Sequence, residues 1–231
     1  MSKGKRRLFN LIIISILTVH AGILTALAND LGKTFPFNKE NALGEWKEKI
    51  FRNRVIYSVE IGEVDGYLGA KSREAASGIF YRLTFDPRQK PFIRWKWKVV
   101  QFPKKTRALK ETKGGWIERD DYAARFYVIF PGFTFFTTKT LEYVWDKDLA
   151  QETILTSPYF KNIKIIVAES GDAHLGEWIS EQRNIIDDYK KAFGRLPGKV
   201  GAIAIMTDSD NTISTAEAYY DEIEVGYGKQ K

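Results

Sequence analysis

Apolar and polar residues alternate with a period of two along most of this chain, and turn-forming residues cut the alternation into runs of roughly six to ten residues. The runs are residues 50–60, 66–72, 78–85, 92–102, 122–130, 140–145, 163–168, 177–185, 200–207 and 218–225. Asp86-Pro87, Gly114-Gly115, Pro131-Gly132, Ser157-Pro158 and Leu196-Pro197-Gly198 separate them. One segment, residues 186–193, reads as a helix and stops at Gly194, the residue type that tolerates the left-handed helix end. No strand–helix–strand rhythm is present. The pattern therefore predicts an all-β fold, a jelly-roll-like β-sandwich of about ten strands with one short helix. Residues 29–45 read as an extended lead-in to it.

The alternation also assigns faces. In 92–102, Ile93, Trp95, Trp97 and Val99 share one side and Arg94, Lys96 and Lys98 the other, so the two tryptophans belong to the core. Leu141, Tyr143 and Trp145 alternate with Glu142 and Val144. Trp145 sits at a strand end beside Asp146, and is the ring expected to meet a ligand.

Ahead of these runs lies a different pattern. Lys3, Lys5, Arg6 and Arg7 precede a mostly apolar stretch over 8–19, and Ala26-Leu27-Ala28 offers a small-x-small cleavage site. The apolar stretch is shorter than the ~20 residues that span a bilayer. Residues 1–28 are thus expected to be a cleaved signal peptide, leaving residues 29–231 as a single β-sandwich domain, periplasmic or secreted, with no membrane span. Cleavage removes four of the 36 Lys+Arg and no acid, so the net charge falls from +7 to +3. That balance gives a nucleic-acid partner no support. With no cysteine, disulfides, thiol nucleophiles and lipid attachment at cysteine are excluded. His174, in a turn-like segment, is the sole histidine beyond residue 28, and no Gly-x-Ser-x-Gly elbow accompanies it.

Four polar clusters remain as candidate ligand contacts. The first is Asp120-Asp121-Tyr122-Ala123-Ala124-Arg125, where Arg125 shares a strand face with Ala123, Tyr127 and Ile129. A guanidinium there needs a partner, and Asp120, Asp121, Glu181 and Asp208 are the candidates; either a structural ion pair or an anion or sugar-hydroxyl clamp satisfies it. The second is Glu181-Gln182-Arg183-Asn184, with Glu181 and Arg183 on the side of Ile179 and Ile185. The third is Met206-Thr207-Asp208-Ser209-Asp210-Asn211-Thr212, either a turn or a calcium-binding loop. The fourth is Asp221, which alternates with Tyr219, Ile223 and Val225. Asp208, Asp210 and Asn211 are expected to form one polar site with Arg183. Arginine is the first choice to balance them, and calcium on Asp208, Asp210 and Asp221 the second. No other cofactor is expected. Charge is unevenly divided: 88–113 hold ten Lys/Arg and one acid, whereas 207–225 hold six acids and no base.

Trp95-Lys96-Trp97, Asp120-Asp121-Tyr122-Ala123-Ala124-Arg125-Phe126-Tyr127-Val128, Tyr143-Val144-Trp145, Glu181-Gln182-Arg183-Asn184, Asp187-Asp188-Tyr189, Phe193-Gly194 and the 206–212 string together resemble the bacterial family called domain of unknown function 3047. The resemblance spans about 94–224 and implies an exported bacterial protein without supplying an activity. Tyr220-Asp221-Glu222-Ile223 is also similar to the last strand of jelly-roll carbohydrate-binding modules, in which the aspartate helps hold a structural calcium. Sandwich pattern, 14% aromatic content and polar strand ends point to an exported, non-catalytic binding protein for a saccharide or cell-envelope glycan, its partner a saccharide or an anionic envelope polymer. The alternatives are a glycan hydrolase drawing two carboxylates from Asp120, Asp121, Glu181, Asp208 and Asp210, and a structural component of an envelope assembly using the basic 88–113 segment.

Overall fold

The computed structural model describes residues 32–62, 65–105 and 120–227. The expected signal peptide and cleavage site, the Gly114-Gly115 break and part of the basic 88–113 segment lie outside them. Thirteen strands are present among the described residues: β1 (Lys33–Phe35), β2 (Lys47–Arg52), β3 (Ile56–Ile61), β4 (Gly66–Arg73), β5 (Ala76–Phe85), β6 (Phe92–Gln101), β7 (Ala124–Phe130), β8 (Lys139–Asp146), β9 (Ile154–Thr156), β10 (Ile163–Ser170), β11 (Ile179–Asn184), β12 (Val200–Asp208) and β13 (Thr215–Tyr227). They form two sheets. One runs β11-β6-β13-β4-β3 with β1 added on β13, and the other runs β2-β5-β12-β7-β8-β10-β9. Every described pairing is antiparallel except β8 with β10.

The expected sandwich is therefore present, with its core where the alternation placed it. Trp95 and Trp97 of β6 are fully buried, together with Leu68 and Ala70 of β4. Opposite them lie Phe126, Leu141, Tyr143, Ile203 and Ile205 of the second sheet. The Trp95 ring stacks on Phe126 with centroids 4.7 Å apart and planes 11° apart, joining the two sheets at their middle. Such a pair contributes about 0.5–1.5 kcal/mol beyond the area it buries.

An α-helix, α1 (Ile185–Phe193), the one α-helix among the described residues, closes one end of the core. Its start is set by Asn184, whose side chain accepts from the amides of Ile186 and Asp187. Its end is set by Gly194 at φ 69°, where the amide donates to the Lys190 carbonyl at 2.8 Å. Tyr189 is buried against Phe130, ring centroids 4.7 Å apart.

Three expectations need correction. The run 50–60 is two strands in different sheets: β2 pairs with β5 and β3 with β4. The chain turns between them at Asn53, whose φ of 53° is left-handed and suited to asparagine. The lead-in contains β1, held in register on β13. Asp221 does not share a face with Ile223 and Val225. Glu222 has φ 46° and the register against β6 shifts between Asp221 and Glu224, so a bulge inverts the alternation. Tyr220, Ile223 and Val225 face the core, and Asp221 lies half-buried outside, opposite Lys96.

Candidate functional site on the outer face of the seven-stranded sheet

Outward-facing positions of β5, β12, β7 and β8 are unusually apolar for a face turned away from the core. Phe80, Ile129, Ala202 and Ala204 are buried and pack together, with Tyr127 against them. Small residues at the centre, Gly78 and Ala204, leave a depression between Phe80, Met206, Tyr127 and Ile129. Phe51, Ile163, Ser157 and Tyr159 complete the walls of a cleft that opens to solvent.

Asp120, Arg125, Glu142 and Asp208 stand at its polar end. Arg125 is opposite Met206 on β12 and Val144 on β8, which sets Asp208 and Glu142 diagonally across from it on the same face. Its Nε donates to Asp208 Oδ1 at 2.8 Å and its Nη1 to Glu142 Oε1 at 2.7 Å. Nη2 donates to Asp208 Oδ2 and to the Asp120 carbonyl. Burial alone would lower the Arg125 pKa, but Asp208, Tyr127, Glu142 and Asp120 outweigh it and hold the guanidinium charged. The Arg125 ion pair expected from sequence is thus present, through Asp208 and through Glu142, which was not among the expected partners.

The other polar residues of both strings brace this pair. Asp208 Oδ1 also accepts from the Tyr122 amide at 2.9 Å, and Thr207 Oγ1 donates to the Ala123 carbonyl at 2.7 Å. Asp121 accepts from the amides of Asn211 and Thr212 and from their side chains, closing the 208–212 turn. Asn211 accepts in addition from the Tyr159 hydroxyl at 3.0 Å, tying the turn to the cleft wall.

A calcium ion on Asp208, Asp210 and Asp221 does not match this geometry, because Asp221 belongs to the other sheet. The carboxylates that do converge are Asp121, Asp208 and Asp210, one oxygen of each lying within 4.8 Å of the others. Asp121 and Asp208 already accept protein hydrogens at both oxygens. Only Asp210 Oδ1 in this trio is buried without a partner. A donor set so far committed suits the turn and the arginine better than a cation needing six to eight oxygens.

Two further carboxyl oxygens lack partners. Asp120 Oδ1 is buried 3.9 Å from Arg125 Nη1 with no hydrogen bond. Burial, with Glu142 and Asp121 nearby, pushes the Asp120 pKa up to about 8 against the pull of Arg125. Glu181 Oε1 is the other, its pKa also raised to about 8 by burial and by Glu169.

Glu181 and Arg183 are not part of the cleft. They lie on β11, at the edge of the other sheet, facing inward. Arg183 pairs with Asp188 at 2.9 Å and with Glu152, and Asp188 also accepts from the Tyr143 hydroxyl at 2.9 Å. The expected grouping of Arg183 with Asp208, Asp210 and Asn211 is therefore corrected: each sheet edge closes its own charges. Trp145 is corrected too. It lies on the core face with Leu141 and Tyr143, fully buried, and its indole N–H donates to the Gly171 carbonyl at 2.9 Å. Beside it, Asp146 accepts from Lys105 at 2.6 Å.

The sequence reading missed Glu142, Tyr127, Tyr159, Phe80 and Met206. Val144 lies on the same side of β8 as Glu142 and is fully buried, so that side is covered. An acid flanked by Val144 on such a side was the available signal.

Fold and site together define a β-sandwich with a cleft on one outer face, an apolar floor and an arginine–carboxylate end. The chain belongs to the family described as protein of unknown function (DUF3047), whose sequence profile matches residues 44–224. No curated protein sequence matches it. Among solved structures, it is similar to the family 11 carbohydrate-binding module of cellulosomal cellulase Lic26A-Cel5E of Clostridium thermocellum, with 11% identity over 87% of this chain and 97% of that one and a TM-score of 0.48. It is also similar to the family 30 carbohydrate-binding module of cellulosomal cellulase Cel9D-Cel44B of the same organism, with 7% identity over 80% and 93% and a TM-score of 0.44. A cellulase derived from Cel12A of Rhodothermus marinus shows 10% identity over 83% and 94%, with a TM-score of 0.46. These likenesses concern the fold and transfer no ligand.

Two outcomes are expected from this electrostatic arrangement. Arg125→Met should lower stability by about 3–5 kcal/mol in urea titration, because Asp208 and Glu142 are left buried without their cation. An unchanged midpoint would show that the pair is dispensable. The pH response follows from carboxyls whose pKa values rise on folding: Asp120 and Glu181 to about 8 and Asp210 to about 6, the last through burial and Asp121. In the folded chain these groups keep protons that the unfolded chain releases near pH ~4. Their stabilisation is present at low pH and is lost as pH rises through about 4 to 8. The melting temperature should therefore fall between pH 6 and 8, and a rise over that interval would contradict the assignment.

Proposed function

We propose that this protein is an exported, non-catalytic saccharide-binding protein whose ligand lies in the cleft on the outer face of the seven-stranded sheet. The observation that carries the reading is the combination of an apolar floor with a buried carboxyl that has an oxygen to spare. A sugar ring is apolar on its C–H face and ringed by hydroxyls. Phe80, Met206 and Ile129 suit the first, and Asp120, Tyr127 and Tyr159 the second. Burial raises the pKa of both tyrosine hydroxyls, so they stay protonated. Tyr159 gives its hydrogen to Asn211, and Tyr127 makes only a long contact to Met206 Sδ at 3.6 Å, which a sugar hydroxyl could replace. Charge narrows the class further. With Asp120 protonated, Glu142 and Asp208 still outnumber Arg125 at this end, and Arg125 donates to both. A neutral or amino sugar fits better there than an anionic polymer.

One observation favours a second reading, glycan hydrolysis. Asp120, holding its proton to about pH 8, and Glu142 lie 3.9 and 2.7 Å from the same guanidinium nitrogen in one cleft. An acid and a carboxylate in such proximity are the minimum for that chemistry. Against it, Glu142 is engaged in bracing Arg125, and not free to face a substrate.

Export rests on the 1–28 pattern, and among the described residues no helix is long and apolar enough to cross a membrane. N-terminal sequencing of protein recovered from the periplasm or medium should begin at Asn29; an intact Met1 in the membrane fraction would overturn export. For binding, the mature protein is screened against neutral, amino and acidic oligosaccharides. Neutral or amino sugars should be retained, and Tyr127→Ala and Tyr159→Ala should each weaken that retention about tenfold, the loss of about 1.4 kcal/mol expected for one good contact. Absence of any such ligand, or retention indifferent to both substitutions, would refute the cleft reading. Release of reducing ends from a retained glycan, abolished by Glu142→Gln, would establish the hydrolase instead.

A further inference from the structure

The opposite outer face, on the six-stranded sheet, carries a feature the cleft does not account for. Pairing places Ser58 beside Gly69, Gly69 beside Tyr219 and Tyr219 beside Lys98. Trp178, directly before β11, continues the row, since Ile179 is opposite Trp97. Tyr67 reaches into the same place from β4. Ring centroids of Tyr67 and Tyr219 are 5.0 Å apart, of Tyr67 and Trp178 5.7 Å, and of Trp178 and Tyr219 6.5 Å. Gly69 leaves this stretch of strand without a side chain, and Trp178 remains 37% exposed. The space above Gly69 is bordered by Ser58 and Glu60, at 3.2 and 3.6 Å from where a Cβ would stand, so the exposed Trp178 ring is what this face offers to a partner.

Most charges of this face are paired with one another; Glu60, beside Gly69, accepts from Ser58 Oγ at 2.7 Å instead. Lys71 pairs with Glu217 at 3.1 Å, Arg94 with Glu224, and Lys96 with Glu222. Lys98, in the middle of them, has no carboxylate partner among the described residues. Its ammonium lies 4.9 Å from the Tyr219 ring centroid, 5.1 Å from that of Trp178 and 5.9 Å from that of Tyr67. Three rings hold the cation in place without neutralising it.

We propose that this face is a second saccharide surface, selective for a carboxylate-bearing sugar such as a uronate. The C–H face of the sugar lies on the exposed Trp178 ring and its tyrosine neighbours, and the sugar carboxylate meets Lys98. The proposal is independent of the cleft: it uses the other sheet, a cation where the cleft has an excess of acids, and aromatic rings in place of aliphatic walls.

Affinity electrophoresis of the mature protein in gels containing polygalacturonate or, as a neutral reference, dextran tests it. The expected result is retardation by polygalacturonate alone. Trp178→Ala, which keeps every charge, and Lys98→Gln, which keeps every ring, should each weaken it about tenfold with unchanged melting temperature. Tyr127→Ala should leave it intact, so failure here and failure of the cleft reading are separable. No retardation of the unmodified protein would overturn the proposal. Loss in Lys98→Gln but not Trp178→Ala would reduce the effect to charge attraction, and loss in Trp178→Ala alone would remove the acidic-sugar preference; either outcome sinks it.

Discussion

Arg125 and Asp208 are far apart in the chain and meet on adjacent strands, away from water, with Glu142 bracing the guanidinium from the other side. An arginine buried alone in that position would be prohibitively costly, so the carboxylates must be in place whenever the sheet is. That requirement fixes more than one pair. The Asp120 carbonyl is drawn to the same guanidinium, the Tyr122 amide to Asp208, and the Asp121 side chain to the amides of Asn211 and Thr212. The entrance to β7 and the exit from β12 are thereby stitched into one unit. This is why two polar strings separated by about eighty residues carry so many matching donors and acceptors, and why loop residues near the cleft are held without a metal having to organise them.

The cleft depends on that unit and on an uncommon property of the seven-stranded sheet. Antiparallel sheets of a sandwich usually turn a polar face outward. Here Phe80, Ile129, Ala202 and Ala204 on one part of the outer face, and Val144, Ile165 and Val167 on another, are buried. Alanine and glycine along the middle strands lower the floor while Phe80, Tyr127 and Met206 stand beside it. The depression is thus encoded by side-chain size on strands whose other face is committed to the core, and its geometry is as rigid as the sheet.

Much of the fold was legible because the core obeys the period-two rule: the burial of Trp95, Trp97, Leu141 and Tyr143 follows from alternation alone. The failures share one physical origin, local backbone changes that alternation cannot register. A left-handed Asn53 splits 50–60 between sheets, and a left-handed Glu222 inverts the faces of β13 beyond Asp221, so Asp221 does not share a face with Ile223 and Val225. At the site, Arg125 and Asp208 were legible because each is a charge in an apolar setting. Glu142 was not, since an acid alternating with Tyr143 reads as solvated until Val144 is known to be covered. Arg183 was assigned to the wrong carboxylates because one chain gives no information on which sheet edge receives β11.

The uneven charge along the chain has a structural explanation as well. The described part of the basic 88–113 segment contains β6, the acidic 207–225 segment contains most of β13, and these two strands are neighbours. Arg94 and Lys96 face Glu224 and Glu222 across them, so much of the apparent asymmetry cancels between adjacent strands. Exposed pairs of this kind contribute little stability individually. Their larger effect is local: with Arg94 and Lys96 paired, Lys98 keeps its charge among the rings, on a face that also carries the exposed Glu60. On the other sheet the opposite holds, since the arginine is consumed internally and carboxyls remain in excess. The two outer faces of one sandwich therefore differ in shape and in the polar groups they present, a ring-enclosed lysine on one and surplus carboxyls on the other, and a single ligand chemistry would not suit both.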